Sequence, residues 1–177
     1  MKTKVIFTIA VLLLAWTAHA TRMLPLSIEQ LTAQAQLVLH GTVASKTVQR
    51  DATDRIYTRI NLQVTDAWKG QPNTNPFVIV QAGGVLGEEI AIVDGQEEFS
   101  IGEEVVVFLV VNERGEGVVI GLVQGKFKVA KDANGEKLVH NVFHGSAPGR
   151  EERPNDKAKA RRLNLVQLKQ RVQGDRP

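Results

Sequence analysis

The sequence predicts a mainly β fold, a small antiparallel barrel or sandwich. Three observations predict it. First, about seven short segments between residues 37 and 142 alternate in polarity or run apolar at strand length. Second, turn signals separate them: Asp94-Gly95, Asn134-Gly135 and the polar stretch "NERGEG". Third, no helical stretch of about 10–15 residues lies between the strands, so a βαβ pattern is absent.

The elements follow in chain order. Ser27 and Gln30 stand at the spacing of a capping box, and Leu26 and Leu31 take the two staple positions. A helix over 28–34 is expected, too short to hold without docking on something else. "LVLHGTVASKTV" reads as the first strand, with Gly41 marking a bulge or a close backbone approach. In "RIYTRINLQVTDAW", Ile56, Thr58, Ile60, Leu62 and Val64 share one face, which predicts a strand buried on that side. "KGQPNTNP" ends it.

"FVIVQAGG" is a third strand stopped by two glycines, and "EEIAIVDG" a fourth. "EEFSIGEE" is a polar loop anchored by Phe99 and Ile101. The apolar run Val105 to Val111 predicts a central strand covered on both faces. "VVIGLVQGKFKVAKD" returns from a hairpin as one strand, and "KLVHNV" completes the set. Within the return strand, Gly121 and Gly125 are expected to permit tight curvature.

The two ends read differently. Lys2 and Lys4 precede an apolar run from Val5 to Trp16, and Ala18-His19-Ala20 fits a small-x-small cleavage site. Residues 1–20 are therefore expected to be a secretory signal peptide, cleaved near Ala20 and too short for a comfortable membrane span. The mature chain would begin near Thr21 and hold no transmembrane segment. Residues 21–145 form the predicted barrel domain. Residues 146–162, rich in charge, proline and glycine, read as a basic flexible linker. Residues 163–177 read as a C-terminal helix and tail, with Asn164 and Gln167 repeating the capping box and Leu163 and Leu168 the staple.

Charge is divided along the chain. Residues 21–145 hold 11 Lys and Arg against 15 Asp and Glu, and residues 146–177 hold 9 against 4. The sequence pI of about 9.3 therefore belongs to the tail, not to a basic face on the body. Only 5% of residues are aromatic, which argues against a stacking surface for nucleic acid. The basic tail suits weak contact with anionic surfaces. With no cysteine, the chain has no thiol nucleophile, no cysteine-based zinc site and no disulfide. The expected location is the periplasm or the exterior.

No constellation of catalytic residues stands out. His140 and His144 are four apart, a metal-ligand spacing on a helix, but a strand precedes them and Gly145 and Pro148 follow. His40 reads as a satisfied or edge histidine. The pairs Glu88-Glu89, Glu97-Glu98 and Glu103-Glu104 place neighbouring carboxylates on opposite faces of a strand, so no single pair supplies both groups of a glycosidase. They read as solvated turn and edge positions. "AGGVLGEE" lacks the G-K-[ST] of a phosphate loop, and no serine stands in G-x-S-x-G.

A resemblance enters at three stretches. Ala35 to Val43, Trp68 to Gly70 and Gly121 to Phe127 resemble an uncharacterised family of bacterial secreted proteins, with a pattern Ala-Asp-Leu-Val-Val-x-Gly-x-Val, then Leu- or Trp-Lys-Gly, then Gly-Leu-x-Gln-Gly-Lys-Phe. Gln36 stands where that pattern has Asp. The match spans about residues 26–142 and the terminal "LNLVQLKQRV". The first two stretches are also distantly similar to the netrin-like modules of tissue inhibitors of metalloproteinases. That resemblance implies an OB-like barrel. Those inhibitors place an N-terminal cysteine on the protease zinc, and this chain has none.

The expected function is a non-enzymatic secreted or periplasmic binding module for a protein partner, with no cofactor. Its expected binding surface is the barrel rim near Gly83, Gly84 and the 94–101 loop. The alternatives are a secreted protease inhibitor and a metal-dependent enzyme using His140 and His144.

Overall fold

A computed structural model describes residues 24–96, 98–145 and 162–174. The expected signal peptide, most of the expected linker and the end of the tail lie outside those residues. Among the described residues there are two helices and nine strands: α1 (Ile28–Gln34), β1 (Leu37–Arg50), β2 (Ile56–Lys69), β3 (Phe77–Ala82), β4 (Gly84–Leu86), β5 (Glu89–Ala91), β6 (Glu104–Val111), β7 (Gly117–Val119), β8 (Lys126–Lys131), β9 (Lys137–His140) and α2 (Leu165–Gln173).

Five strands close into an OB-like barrel. The order runs β1-β2-β3-β7-β6, and β6 returns to pair with β1. Every pairing is antiparallel except β3 with β7. β1 spans two neighbours at once: Leu37 to Thr42 pair with β6, while Val38 to Arg50 pair with β2. Such a strand must bend. The register of β1 with β2 shifts between His40 and Gly41, where the sequence suggested a bulge. A Cβ on Gly41 would collide with the Gln63 carbonyl oxygen, so the two backbones approach more closely than any side chain allows.

The period-two pattern divides the apolar residues between two cores. Leu37, Leu39, Ile60, Leu62, Phe77, Ile79, Val105, Val107 and Leu109 fill the barrel. Val38, Trp68, Val106 and Phe108 point outward, where α1, α2 and Val139 cover them. The run Val105 to Leu109 is thus covered on both faces, as its unbroken apolar character predicts.

α1 has the expected bounds and a complete capping box: Ser27 Oγ accepts from Gln30 N, and Gln30 Oε1 accepts from Ser27 N. α2 has the same arrangement at Asn164 and Gln167. α2 docks on the barrel, burying Leu168 and Val172 in the outer core beside Ile28 and Leu31 of α1. Arg171 reaches Glu29 of α1 at 2.7 Å, and Lys169 reaches Asp66 of β2 at 2.6 Å.

Three local expectations change. "VVIGLVQGKFKVAKD" is two strands, because residues 120–125 turn back: Ile120 N bonds to Phe108 O, Gly125 N to Ile120 O, and Phe108 N to Gly125 O. A Cβ on Gly125 would lie 2.5 Å from Ile120 O. "GGVLGEEIA" forms a separate hairpin, β4-β5, outside the barrel sheet. Phe99 anchors its loop, but Ile101 is 67% exposed and does not.

Docking of α2 has a measurable consequence. Leu168→Ala is expected to lower unfolding stability by about 2–5 kcal/mol in urea denaturation. Val166→Ala, on the exposed face of the same helix, is expected to leave it nearly unchanged.

Candidate functional site: a cleft between two diverging strands

β3 and β7 run parallel but meet at one residue pair, Ile79 with Gly117. Beyond it they separate, and a cleft of about 330 Å³ opens. Val80 to Ala82 of β3 form one wall, Val118 and Val119 of β7 the other, and Tyr57 joins from β2. Phe99 and Lys126, the most buried of the lining residues, form its floor. Asp51, Arg55 and Arg114 stand at the mouth, on the β1–β2 and β6–β7 turns. The cleft includes Ala82 and Gln96, so it adjoins the rim at Gly83 and the 94–101 loop that the sequence singled out.

Why the strands part follows from local chemistry. The chain leaves β3 through Gly83 and Gly84, both at positive φ. A Cβ on Gly84 would meet the Thr58 hydroxyl and the Val48 side chain, so only glycine lets the hairpin cross β1 and β2 this closely. Thr58 Oγ1 donates to Gly83 O at 2.7 Å and holds the exit. On the other wall, Leu122 sits at φ 60° and lies partly exposed at the rim. An apolar residue in that left-handed region costs about 1–3 kcal/mol and marks a locally constrained surface.

Lys126 is the unexpected group. It is 1% exposed, yet its ammonium donates to Glu98 O at 2.6 Å and to Glu103 Oε2 at 2.8 Å, and lies 4.4 Å from the Phe99 ring centroid. These contacts offset the cost of burying a charge. They also tie the loop after β5 to β8 and shape the cleft floor. The arginines at the mouth are paired as well, Arg55 with Asp51 at 2.8 Å and Arg114 with Glu116 at 3.0 Å. Hydrogen bonds from the Thr53 hydroxyl, the Arg55 and Thr53 amides and the Arg55 side chain hold the Asp51 carboxyl far below the usual carboxylate range. The cleft thus combines apolar walls with the polar groups of Tyr57, Gln81 and Gln96, a lining suited to noncovalent capture.

A second polar cluster joins β1, β6 and β9. His40 Nε2 donates to Glu104 at 2.7 Å, and Lys137 reaches the same carboxylate oxygen at 2.7 Å. Burial pushes the Glu104 carboxyl up, but the Lys137 and His40 hydrogen bonds outweigh it and hold the group below its usual value. His40 is therefore a satisfied histidine. Glu103 and Glu104 point to opposite faces, as adjacent strand residues must, yet both are ion-paired. The expectation that they are solvated edge positions does not hold for this pair.

His140 ends β9, and His144 lies in the following turn. His144 Nε2 donates to the Leu26 carbonyl at 2.8 Å, and its ring stacks on Phe127. It ties the chain ahead of α1 to the outer core. Among the described residues, no group of three or more His, Cys, Asp or Glu is placed to hold a metal ion. No described helix is long and apolar enough to cross a membrane.

No model of a known protein family matches the chain, and no curated protein matches it.

Two outcomes test the electrostatics. Lys126→Met leaves Glu103 without its buried partner and is expected to cost about 3–5 kcal/mol in chemical denaturation, with Glu103→Gln on the same chain recovering part of the loss. The second concerns acid. The Lys169 hydrogen bond holds the Asp66 carboxyl below its usual value against burial, with Trp68 adding to it. Because the folded value is depressed, this stabilisation is present above about pH 4 and is lost as pH falls through the folded value. Fluorescence of Trp68, whose indole donates to Asp66, is expected to report α2 loosening in that window, and Asp66→Asn to flatten the response.

Proposed function

We propose that this protein is a non-enzymatic binding module, secreted or periplasmic, that captures a protein partner at the β3–β7 cleft. The observation that carries this reading is the cleft itself: two strands of a closed barrel part after a single bridging pair, over a floor built from Phe99 and the buried Lys126. Val80 and Ala82 of β3 and Val118 and Val119 of β7 present apolar walls to the cleft. These walls receive the apolar side chains of a partner segment. In OB-type barrels, the face of the second and third strands and the flanking turns commonly carry ligands, and the cleft lies on the corresponding strands here. The resemblance to bacterial secreted proteins agrees with this reading and with the expected signal peptide.

Affinity capture from a periplasmic extract with the mature chain is the test. Val118 is partly exposed on the cleft wall, so Val118→Glu places a charge there without disturbing either core. A partner retained by the unmodified chain and lost with Val118→Glu is the expected result. Identical retention by both chains overturns the assignment of the cleft.

A further inference from the structure

The β4–β5 hairpin turns one face of large aliphatic side chains to solvent. In its register Val85 faces Ile90, Gly84 faces Ala91 and Leu86 faces Glu89. Alternation then divides the hairpin. Gly84, Leu86, Glu89 and Ala91 share the inner side, where Gly84 packs on Thr58 and Val48 and Glu89 pairs with Arg50 of β1 at 2.5 Å. Val85, Ile90 and Ile92 share the outer side, 59%, 67% and 81% exposed. The arm is pinned to the barrel by the Arg50–Glu89 pair and the close seat of Gly84, and turns its large aliphatic side chains to solvent. Three large aliphatic side chains on one bare face need an occupant.

Charge says what kind. Of the seven carboxylates between Gly70 and Asn112, Glu89, Glu98, Glu103 and Glu104 are ion-paired with Arg50, Lys46, Lys126 and Lys137. Glu88, in the hairpin turn, and Asp94, just past the arm, have no ion-pair partner among the described residues. This surface repels anionic headgroups. In a symmetric contact with a second copy, it would set carboxylate against carboxylate. We infer that the β4–β5 arm docks a partner protein that offers an apolar strip bordered by lysine or arginine. The inference rests on the binding-module reading and adds a second surface to it, beside the cleft. Apolar contact supplies most of the affinity, and the flanking charges set the choice of partner and the salt dependence.

The experiment titrates the isotope-labelled mature chain with two probe peptides, one alternating leucine with lysine and one alternating leucine with glutamate, and follows amide signals by NMR. The leucine–lysine peptide is expected to shift the signals of residues 84–94, to weaken in high salt, and to bind about tenfold or more weakly to the chain carrying Ile90→Ser and Ile92→Ser. Both side chains are solvent-facing, so this variant keeps the fold. Equal response to the two peptides, no response at the arm, a doubled mass in sedimentation, or binding of zwitterionic vesicles through Ile92 each overturns the inference. If the arm is silent while extract capture remains sensitive to Val118→Glu, the arm assignment fails and the cleft reading stands. If capture fails while the peptide shifts the arm, the cleft reading fails alone.

Discussion

The pairing of β1 with β6 is the constraint on which the structure depends. It closes the barrel, and it forces the first half of β1 to serve two neighbours. That double duty is possible because Gly41 has no Cβ where the Gln63 carbonyl approaches, and because β1 slips in register beside it. Once the ring is closed, the alternation of β6 has a definite meaning. Val105, Val107 and Leu109 enter the barrel, while Val106 and Phe108 are left outside and must be covered. The helices exist to do that. Neither is long enough to persist alone, so their stability comes from the apolar face that barrel closure creates.

The same closure positions the binding surfaces. A five-stranded ring joined by a single parallel pair between β3 and β7 has a weak seam there. The seam opens into the cleft. The excursion from the end of β3 projects the β4–β5 arm, and the following loop returns through Phe99 to the cleft floor. Cleft and arm are thus consecutive parts of one excursion, held to the barrel by the Arg50–Glu89 pair and by the buried Lys126.

What was legible in the sequence was local or periodic. Both capping boxes were readable because their partners lie three residues apart. The buried face of β2 was readable because Ile60 and Leu62 recur at a spacing of two. The double coverage of β6 was readable from its unbroken apolar run. Lys126 was not. It alternates with Phe127 like any edge lysine, and its partners are 23 and 28 residues away. The outward face of the arm was not legible either, since alternation in "VLGEEIAI" shows that two faces differ, not which one meets the barrel.

By itself, then, the sequence determined the elements: the helix over 28–34, the capped C-terminal helix, the bend at Gly41 and a set of short strands with their apolar sides. These follow from backbone geometry and side-chain period, which act over a few residues. Only the tertiary structure decided that β1 meets β6, that α2 docks beside α1, that a lysine is buried under Phe99 and that β3 and β7 part. Each of those depends on groups far apart in the chain, brought together by burial of a shared apolar surface, and no short window of residues contains both partners.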